Sequence, residues 1–477
     1  MTTMTPFDLI AIGGGTAGLV TAAGAASLGL RAALVEREAL GGDCLWTGCV
    51  PSKALIASAK LAHQMKHAAA LGLEGASPGH AFRTVMERMR TVRARVAEHD
   101  DPERFRNMGV DVVFGSARLE APDRVSVDGR VLQSSRIVIA TGALPSAPPI
   151  EGLETAGFLT HADAFDQDEL PARIAMVGGG PIGLEFAQIY QRLGAAVTVV
   201  EVLPTLLPRE DPDVGRLMAE LLEAEGIAIR VGHGVERVTR GADGTKALHL
   251  RDADGAGHVL EVDEIFVATG RPANTDGLGL EEIGVRLDRG AVKVDATLRS
   301  NVKGIWAAGD VTGGLQFTHV AEYQAKLVLR NAFFPFPRRA SYTTVPSVTY
   351  TDPEVARVGL TEQEAQEQFD QVKTYRYGFA DLDRAIVDGH TEGFVKIVTR
   401  KNGRIVGATV VGSGAGDLIL PVVMAMNARM KISKLSHVVY PYPTMVEGVK
   451  RAADSYYRER FAGRTGEWLR KVVRWLK

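Results

Sequence analysis

Short, uninterrupted apolar runs punctuated by glycine set the rhythm of this chain. The first run, Phe7 to Ile12, ends in Gly13-Gly14-Gly15-Thr16-Ala17-Gly18. An alanine-rich helical stretch follows, and a second run, Ala32-Ala33-Leu34-Val35-Glu36, closes on an acid. Apolar runs without alternation predict strands buried on both faces, as in a parallel sheet covered by helices. The order strand, glycine turn, helix, strand predicts a dinucleotide-binding unit. Its glycines let the backbone approach a pyrophosphate, the helix N-terminus faces the anion, and Glu36 can hold a ribose hydroxyl.

The unit recurs about 165 residues later. Arg173 to Val177 leads into Gly178-Gly179-Gly180-Pro181-Ile182-Gly183, a helix is expected through Leu184 to Leu193, and Ala196 to Glu201 forms the next strand with its terminal acid. Two units imply two dinucleotides that exchange electrons. Each has a closing strand, Ile137 to Gly142 with Thr141, and Ile265 to Gly270. A later run, Gly304 to Asp310, ends in a carboxylate, so the second unit is expected to be inserted into the first. From about Ser341 strands such as Phe394 to Thr399 and Ile405 to Val411 alternate with helices and lack a glycine fingerprint, which predicts an α+β domain. The fold class is therefore α/β with two Rossmann-like domains and an α+β C-terminal domain. The expected boundaries are 1–150 and 273–340 for the two parts of the first domain, 151–272 for the second, 341–460 for the third, and 461–477 for a tail. In that tail, Trp468, Leu469, Val472, Val473 and Leu476 recur at helical spacing between Arg470, Lys471, Arg474 and Lys477. Such a basic amphipathic helix either docks on its own protein or touches an anionic membrane from one side.

Composition narrows the function. A formal net charge of −2 leaves no broad electrostatic footprint for nucleic acid. The arginine-rich stretch Arg83 to Asp100 reads as a solvated helix. No signal peptide is evident, nor an apolar run of the ~18 residues that a spanning helix needs, so a cytoplasmic location is expected. The only two cysteines, Cys44 and Cys49, share the stretch GGDCLWTGCVPSK, Gly41 to Lys53. In the cytoplasm such a pair is redox-active or metal-binding more often than structural. No further ligand pair follows at metal spacing, so redox chemistry is favoured and no metal site is expected.

GGDCLWTGCVPSK resembles the redox-active disulfide motif of the class I pyridine nucleotide–disulfide oxidoreductases. These FAD enzymes include dihydrolipoamide dehydrogenase, glutathione reductase and mercuric reductase. Gly304 to Asp310 resembles the family's second FAD motif, and Tyr350 to Leu360 the start of its dimerisation domain. The resemblance spans about Phe7 to Tyr457. It implies a Cys44–Cys49 disulfide, with Cys49 facing the flavin and Cys44 meeting the substrate. It also implies a Lys53–Glu185 ion pair beside the flavin and a homodimer whose active site is shared between subunits. FAD is expected at Gly13, Gly15, Gly18, Glu36, Gly42, Lys53, Gly115, Thr141, Gly142, Asp310 and His319. NAD(H) is expected at Gly178, Gly180, Gly183, Glu201 and Gly270. Glu201 favours NADH, because an acid repels a 2′-phosphate; Arg209 leaves NADPH as the alternative. His319 reads best as a packed histidine near the flavin. Residues five apart in a straight helix are ~8–9 Å apart, whereas a disulfide needs Cα atoms within ~7 Å. The segment must therefore bend, or begin its helix, between the cysteines.

The resemblance breaks at the substrate end. Where dihydrolipoamide dehydrogenase and glutathione reductase carry a His-Pro-x-x-x-Glu dyad, this chain reads Tyr442-Pro443-Thr444-Met445-Val446-Glu447. A phenol with pKa ~10 is a poor base at neutral pH. Tyr442 looks more like mercuric reductase, yet no cysteine follows Cys49 to deliver a metal ion. The expectation is a mercuric-reductase-like flavoprotein that reduces a small acceptor other than lipoamide or glutathione, such as a quinone or a metal ion. Dihydrolipoamide dehydrogenase (using Tyr442 or a displaced His437), mercuric reductase and a redox sensor without turnover are the alternatives.

Overall fold

The computed structural model describes residues 6–77, 79 and 81–477. A parallel sheet runs in the order Ile305–Ala307, Ile137–Ile139, Leu9–Ile12, Ala32–Glu36, Val110–Phe114. Its first strand in the chain, Leu9–Ile12, is wholly buried, because helices Thr16–Ser27 and Thr318–Phe333 cover one face of the sheet and the strands of 117–133 cover the other. A second parallel sheet runs Ala228–Val231, Ala196–Glu201, Arg173–Val177, Glu264–Val267. The chain builds this second sheet and then returns to the first, where Ile305–Ala307 pairs with Ile137–Ile139. The C-terminal region is a five-stranded antiparallel sheet ordered Pro346–Thr349, Glu354–Gly359, Ile405–Gly412, Phe394–Arg400, Val372–Gly378.

Two antiparallel meanders, over 117–133 and 234–262, lie outside the expectations from sequence. Their strands mix buried with exposed positions, so they lack the solid apolar runs that mark the parallel strands. The arginine-rich stretch is a helix, Phe82–Ala97, but it is less solvated than expected. It buries Phe82, Met86 and Met89, and Arg88, Arg90 and Arg93 bond to Ala54, Asp168 and Trp46.

Helix Cys49–Lys66 of the first unit packs along helix Pro181–Leu193 of the second, and Ala54, Leu55, Leu184, Ala187 and Tyr190 share one core. A buried ionic cluster pins this contact. Arg192, with only 4% of its side chain exposed, lies 2.7 Å from Glu225 and 3.0 Å from Asp352, and Lys60 also lies 3.0 Å from Asp352. Asp352 comes from the C-terminal region, so three parts of the chain meet here. The other end of the same helix pair carries Lys53 and Glu185.

Candidate active site

The two cysteines flank a break between helices. Gly42–Trp46 forms one short helix, and Cys49 is the first residue of Cys49–Lys66. Thr47 and Gly48 between them are non-helical, Gly48 with φ −133° and ψ −113°. This is the bend expected from the reach of a sulfur–sulfur bond. A Cβ on Gly48 would come within 2.8 Å of the Asp43 carbonyl oxygen, so the turn is also too tight for a larger residue.

Both cysteines are thiols here, Cys44 half-buried and Cys49 exposed. The Cys44 thiol hydrogen-bonds the Cys49 sulfur, and this is the largest cause of a Cys49 pKa drawn down to about 6. Burial opposes the shift, while Thr318 and Lys53 add to it. The Thr318 Oγ1 lies 3.5 Å from the Cys49 Sγ. A position at a helix N-terminus favours a thiolate in addition. The same contact pushes the Cys44 thiol up, and burial adds to that. The pair is thus asymmetric, with Cys49 the thiolate.

Around the pair lies a charged shell, of which sequence reasoning singled out Asp310, Lys53 and Glu185 but not Asp43, His161 and Arg271. Asp43, inside the cysteine motif, accepts from Thr47 at 2.7 Å and from Arg271 at 2.8 Å. Its Oδ1 lies 3.4 Å from His161. Burial alone would raise the Asp43 carboxyl, but His161 and Arg271 outweigh it and hold the pKa at about 2. Arg271 also reaches Asp310 at 3.2 Å, so one guanidinium ties the cysteine motif to the returning strand. Burial pushes the Asp310 carboxyl up against the pull of Arg271. Lys53 Nζ lies 2.8 Å from Glu185 Oε2 and 4.4 Å from the Tyr350 ring centroid. The Tyr350 amide donates to the other Glu185 oxygen at 2.9 Å, and Glu185 is buried.

The two glycine fingerprints have the same geometry. Gly13 and Gly178 have φ 108° and 116°. A Cβ on Gly18 would fall 1.8 Å from the Gly13 carbonyl oxygen, and one on Gly183 would fall 2.0 Å from that of Gly178. The Gly14 amide donates to Glu36 at 2.6 Å and the Gly179 amide to Glu201 at 2.7 Å. In each unit the helix starts after a glycine, Gly15 or Gly180, with no side-chain cap. First-turn amides free of a side-chain cap, at the end of a glycine loop, fit a pyrophosphate. Each carboxylate has acceptor capacity beyond its backbone bonds for ribose hydroxyls.

Residues 7–325 match the pyridine nucleotide-disulphide oxidoreductase family, and residues 345–453 match its dimerisation domain. The chain belongs to this family. As such an oxidoreductase it is an enzyme that uses FAD and NAD(P)H, and its dimerisation domain makes it a homodimer. It is 36% identical over 478 residues to a dihydrolipoyl dehydrogenase of Rhizobium etli, covering 95% of this chain and 98% of the relative. It is 35% identical over 460 residues to a mercuric reductase of Streptomyces lividans, covering 95% and 96%. Among solved structures it resembles the Cu(II) complex of the HOCl-induced flavoprotein disulfide reductase RclA from Escherichia coli. That match has a TM-score of 0.85 and 29% identity, covering 95% of this chain and 100% of the other.

The other residues expected from the sequence of this oxidoreductase take up varied positions. Thr141 donates to the Asn274 carbonyl at 2.6 Å, and the Asn274 amide donates back to the Gly142 carbonyl at 2.9 Å. The Gly115 amide donates to the Glu36 carbonyl at 2.8 Å, and Gly270 accepts from Ser146. Gly42 and Gly15 nearly touch: a Cβ on Gly42 would fall 2.7 Å from the Gly15 Cα. His319 is exposed, stacks on Phe317 and bonds the Pro346 carbonyl at 2.9 Å, while its neighbour Thr318 meets Cys49.

Tyr442 is 67% exposed, and its hydroxyl donates to Asp383 at 3.0 Å. That bond, with the charge of Asp383, raises the phenol pKa further. Glu447 is buried and pairs with Arg451 at 3.3 Å. His437 is stacked on Tyr457 and lies 2.9 Å from its hydroxyl. Asp383 carries no motif signal and is found only because the fold sets it beside Tyr442.

Proposed function

We propose that this oxidoreductase passes electrons from NADH, with NADPH the poorer reductant, through FAD and the Cys44–Cys49 pair to a quinone. The observation that supports this most is Tyr442, exposed and held by Asp383 where disulfide-reducing relatives carry an imidazole. Its raised pKa makes it a proton holder at neutral pH, and His437 is engaged with Tyr457. A quinone accepts electrons without the base that a disulfide or lipoamide substrate needs.

When bound, FAD relays two electrons from the nicotinamide to the cysteine pair. Gly13, Gly15, Gly18, Glu36, Gly42, Gly115, Thr141, Gly142 and Asp310 hold it in this reading, and Gly178, Gly180, Gly183, Glu201 and Gly270 hold the nicotinamide nucleotide. Lys53 keeps positive charge beside the flavin, positioned by Glu185, where it stabilises developing negative charge. Cys49 is kept as a thiolate by Cys44, Thr318 and Lys53, and Cys44 faces the acceptor. Tyr442 and Glu447 reach Cys44 from the second subunit. The Cys44–Cys49 bond would open on taking two electrons and one proton, leaving the Cys49 thiolate beside the Cys44 thiol, and would re-form as the quinone takes both electrons, that proton and a second proton from solvent. NADH, a proton and the quinone become NAD⁺ and hydroquinone.

The domain limits that go with this reading are 1–150 and 273–340 for FAD, 151–272 for NADH, 341–460 for dimerisation and 461–477 for the tail. The helix Arg464–Trp475 leaves Trp468, Val473, Trp475 and Leu476 exposed beside its basic face. Among the described residues no helix is long and apolar enough to cross a membrane. We infer a cytoplasmic enzyme whose tail rests on the inner face of the membrane, where lipid quinones reside.

Metal-ion reduction is the second reading, favoured by the likeness to mercuric reductase and to the Cu(II) complex of RclA. An anaerobic NADH titration followed by acceptors separates the two. Rapid reoxidation by a short-chain benzoquinone, with little by lipoamide, is expected. Rapid turnover of lipoamide, or reoxidation by Hg(II) or Cu(II) alone, would overturn the quinone reading.

A further inference from the structure

The second unit carries a cluster of metal-ligating side chains far in sequence from the cysteine motif. His233 follows the strand Ala228–Val231, and Asp252 and His258 face each other across the turn between Lys246–Arg251 and Gly257–Val262. One imidazole nitrogen from each histidine and one Asp252 carboxylate oxygen all lie within 4.8 Å of one another. The His258 Nε2 is 2.9 Å from Asp252 Oδ2, and the two imidazole centroids are 5.4 Å apart.

The orientation of His233 is the telling feature. Its Nδ1 lies 2.8 Å from the Val231 carbonyl oxygen. A carbonyl only accepts, so Nδ1 carries the proton and Nε2 keeps its lone pair. A backbone carbonyl on the far nitrogen is how ligating histidines are commonly fixed. Asp252 is held too: its Oδ1 accepts from the Ala256 amide at 2.8 Å and the Asp254 amide at 3.1 Å. Oδ2 accepts a hydrogen bond from His258 Nε2, whose proton metal binding would release as the ion takes its place between the two groups. Two ligands are therefore fixed by the backbone, and the third sits on the opposite arm of the turn.

We propose that His233, Asp252 and His258 form a site for one divalent transition metal of the borderline class, such as Zn(II), Co(II) or Ni(II). Imidazole with a single carboxylate suits these ions, whereas Mg(II) and Ca(II) call for oxygen donors. Three protein ligands leave a coordination position for water. The site is tied to the nucleotide unit by the backbone. The His233 amide donates to the Glu201 carbonyl at 3.0 Å, and the Gly232 amide to the Leu203 carbonyl at 2.9 Å. Metal binding therefore stiffens the 201–203 turn and changes the KM for NADH; this coupling rests on Glu201 holding the NADH ribose, whereas the site itself does not.

The test is equilibrium dialysis of the full-length, FAD-loaded, oxidised enzyme against Zn(II) and Co(II). Oxidation keeps the cysteine sulfurs from competing. About one equivalent is expected. Losing an outer-shell partner alone weakens metal sites ~10–100-fold, so His233→Gln and His258→Gln should weaken uptake at least that much. Asp252→Asn, whose amide oxygen can keep the turn bonds, should weaken it as well. FAD content and melting temperature should match the parent in all three. Uptake unchanged by these substitutions, or no stoichiometric uptake, overturns the site. Stoichiometric uptake with an unaltered KM for NADH overturns the coupling alone. Failure to bind NADH even without metal counts against the nucleotide assignment instead, and uptake by the parent and its variants still decides whether the site exists.

Discussion

The hydroxyl of Thr318 lies 3.5 Å from the sulfur of Cys49, although 269 residues separate them in the chain. The helix that begins at Thr318 packs on the first sheet and delivers this hydroxyl to the first residue of another helix. Together with the Cys44 thiol it solvates a thiolate at a helix N-terminus.

The reduced enzyme should therefore show one cysteine that ionises near pH 6. At that value about 90% of it is thiolate at pH 7, and the fraction falls as pH drops through 6. Iodoacetamide alkylation rates against pH should give this midpoint, assigned to Cys49 by peptide mapping. Thr318→Val should move the midpoint upward, because a donor to the charged form is lost. A midpoint that stays put would remove Thr318 from the thiolate's support.

Lys53 and Glu185 should behave as one unit. Glu185 is buried and holds both Lys53 and the Tyr350 amide. Lys53→Met strands that carboxylate, at a cost of ~1–3 kcal/mol or more for an unpaired buried charge. Reduction by NADH in a stopped-flow experiment should slow by tenfold or more in the single variants. Lys53→Met combined with Glu185→Gln should be less harmful than the product of the two. Strict additivity would mean that the pair does not act through its contact.

Tyr442→His should give the enzyme what the acceptor mouth lacks. An imidazole titrating near pH 6.5 can take a proton from a thiol at neutral pH. Turnover of a small disulfide or of lipoamide should rise at least tenfold, with a new acid limb in its pH profile. Asp383→Asn, which removes the charge beside the phenol, should lower the Tyr442 pKa. No gain in disulfide turnover from Tyr442→His would place the barrier elsewhere.

The tail should partition onto anionic vesicles. Trp475 is 84% exposed and Trp468 62% exposed on a helix with Arg470 and Arg474 on its other face and Lys471 beside the tryptophans. Co-sedimentation with phosphatidylglycerol vesicles should be strong at low salt and weaken as salt screens the charge. A chain ending at Ala462 should remain in the supernatant. Equal pelleting of the two chains would leave the exposed face without a membrane role.

The sequence alone determined the periodic and local features. The parallel strands were legible because burial on both faces leaves solid apolar runs: Ala32–Glu36, Arg173–Val177 and Ala196–Glu201 have the bounds expected from their residues. The glycine turns were legible because a positive φ and the absence of room for a Cβ are local demands. The bend between Cys44 and Cys49 followed from helix geometry once family resemblance implied a disulfide, and the Lys53–Glu185 pair came through the same resemblance. Tertiary structure alone decided which polar groups meet. Arg271 reaches Asp43 across 228 residues, Thr318 reaches Cys49, and Tyr442 finds Asp383. His233, Asp252 and His258 likewise have no spacing that marks them as a set. A charge or hydroxyl has a partner only when folding brings two distant segments within about 3 Å. No local pattern along a chain encodes that distance.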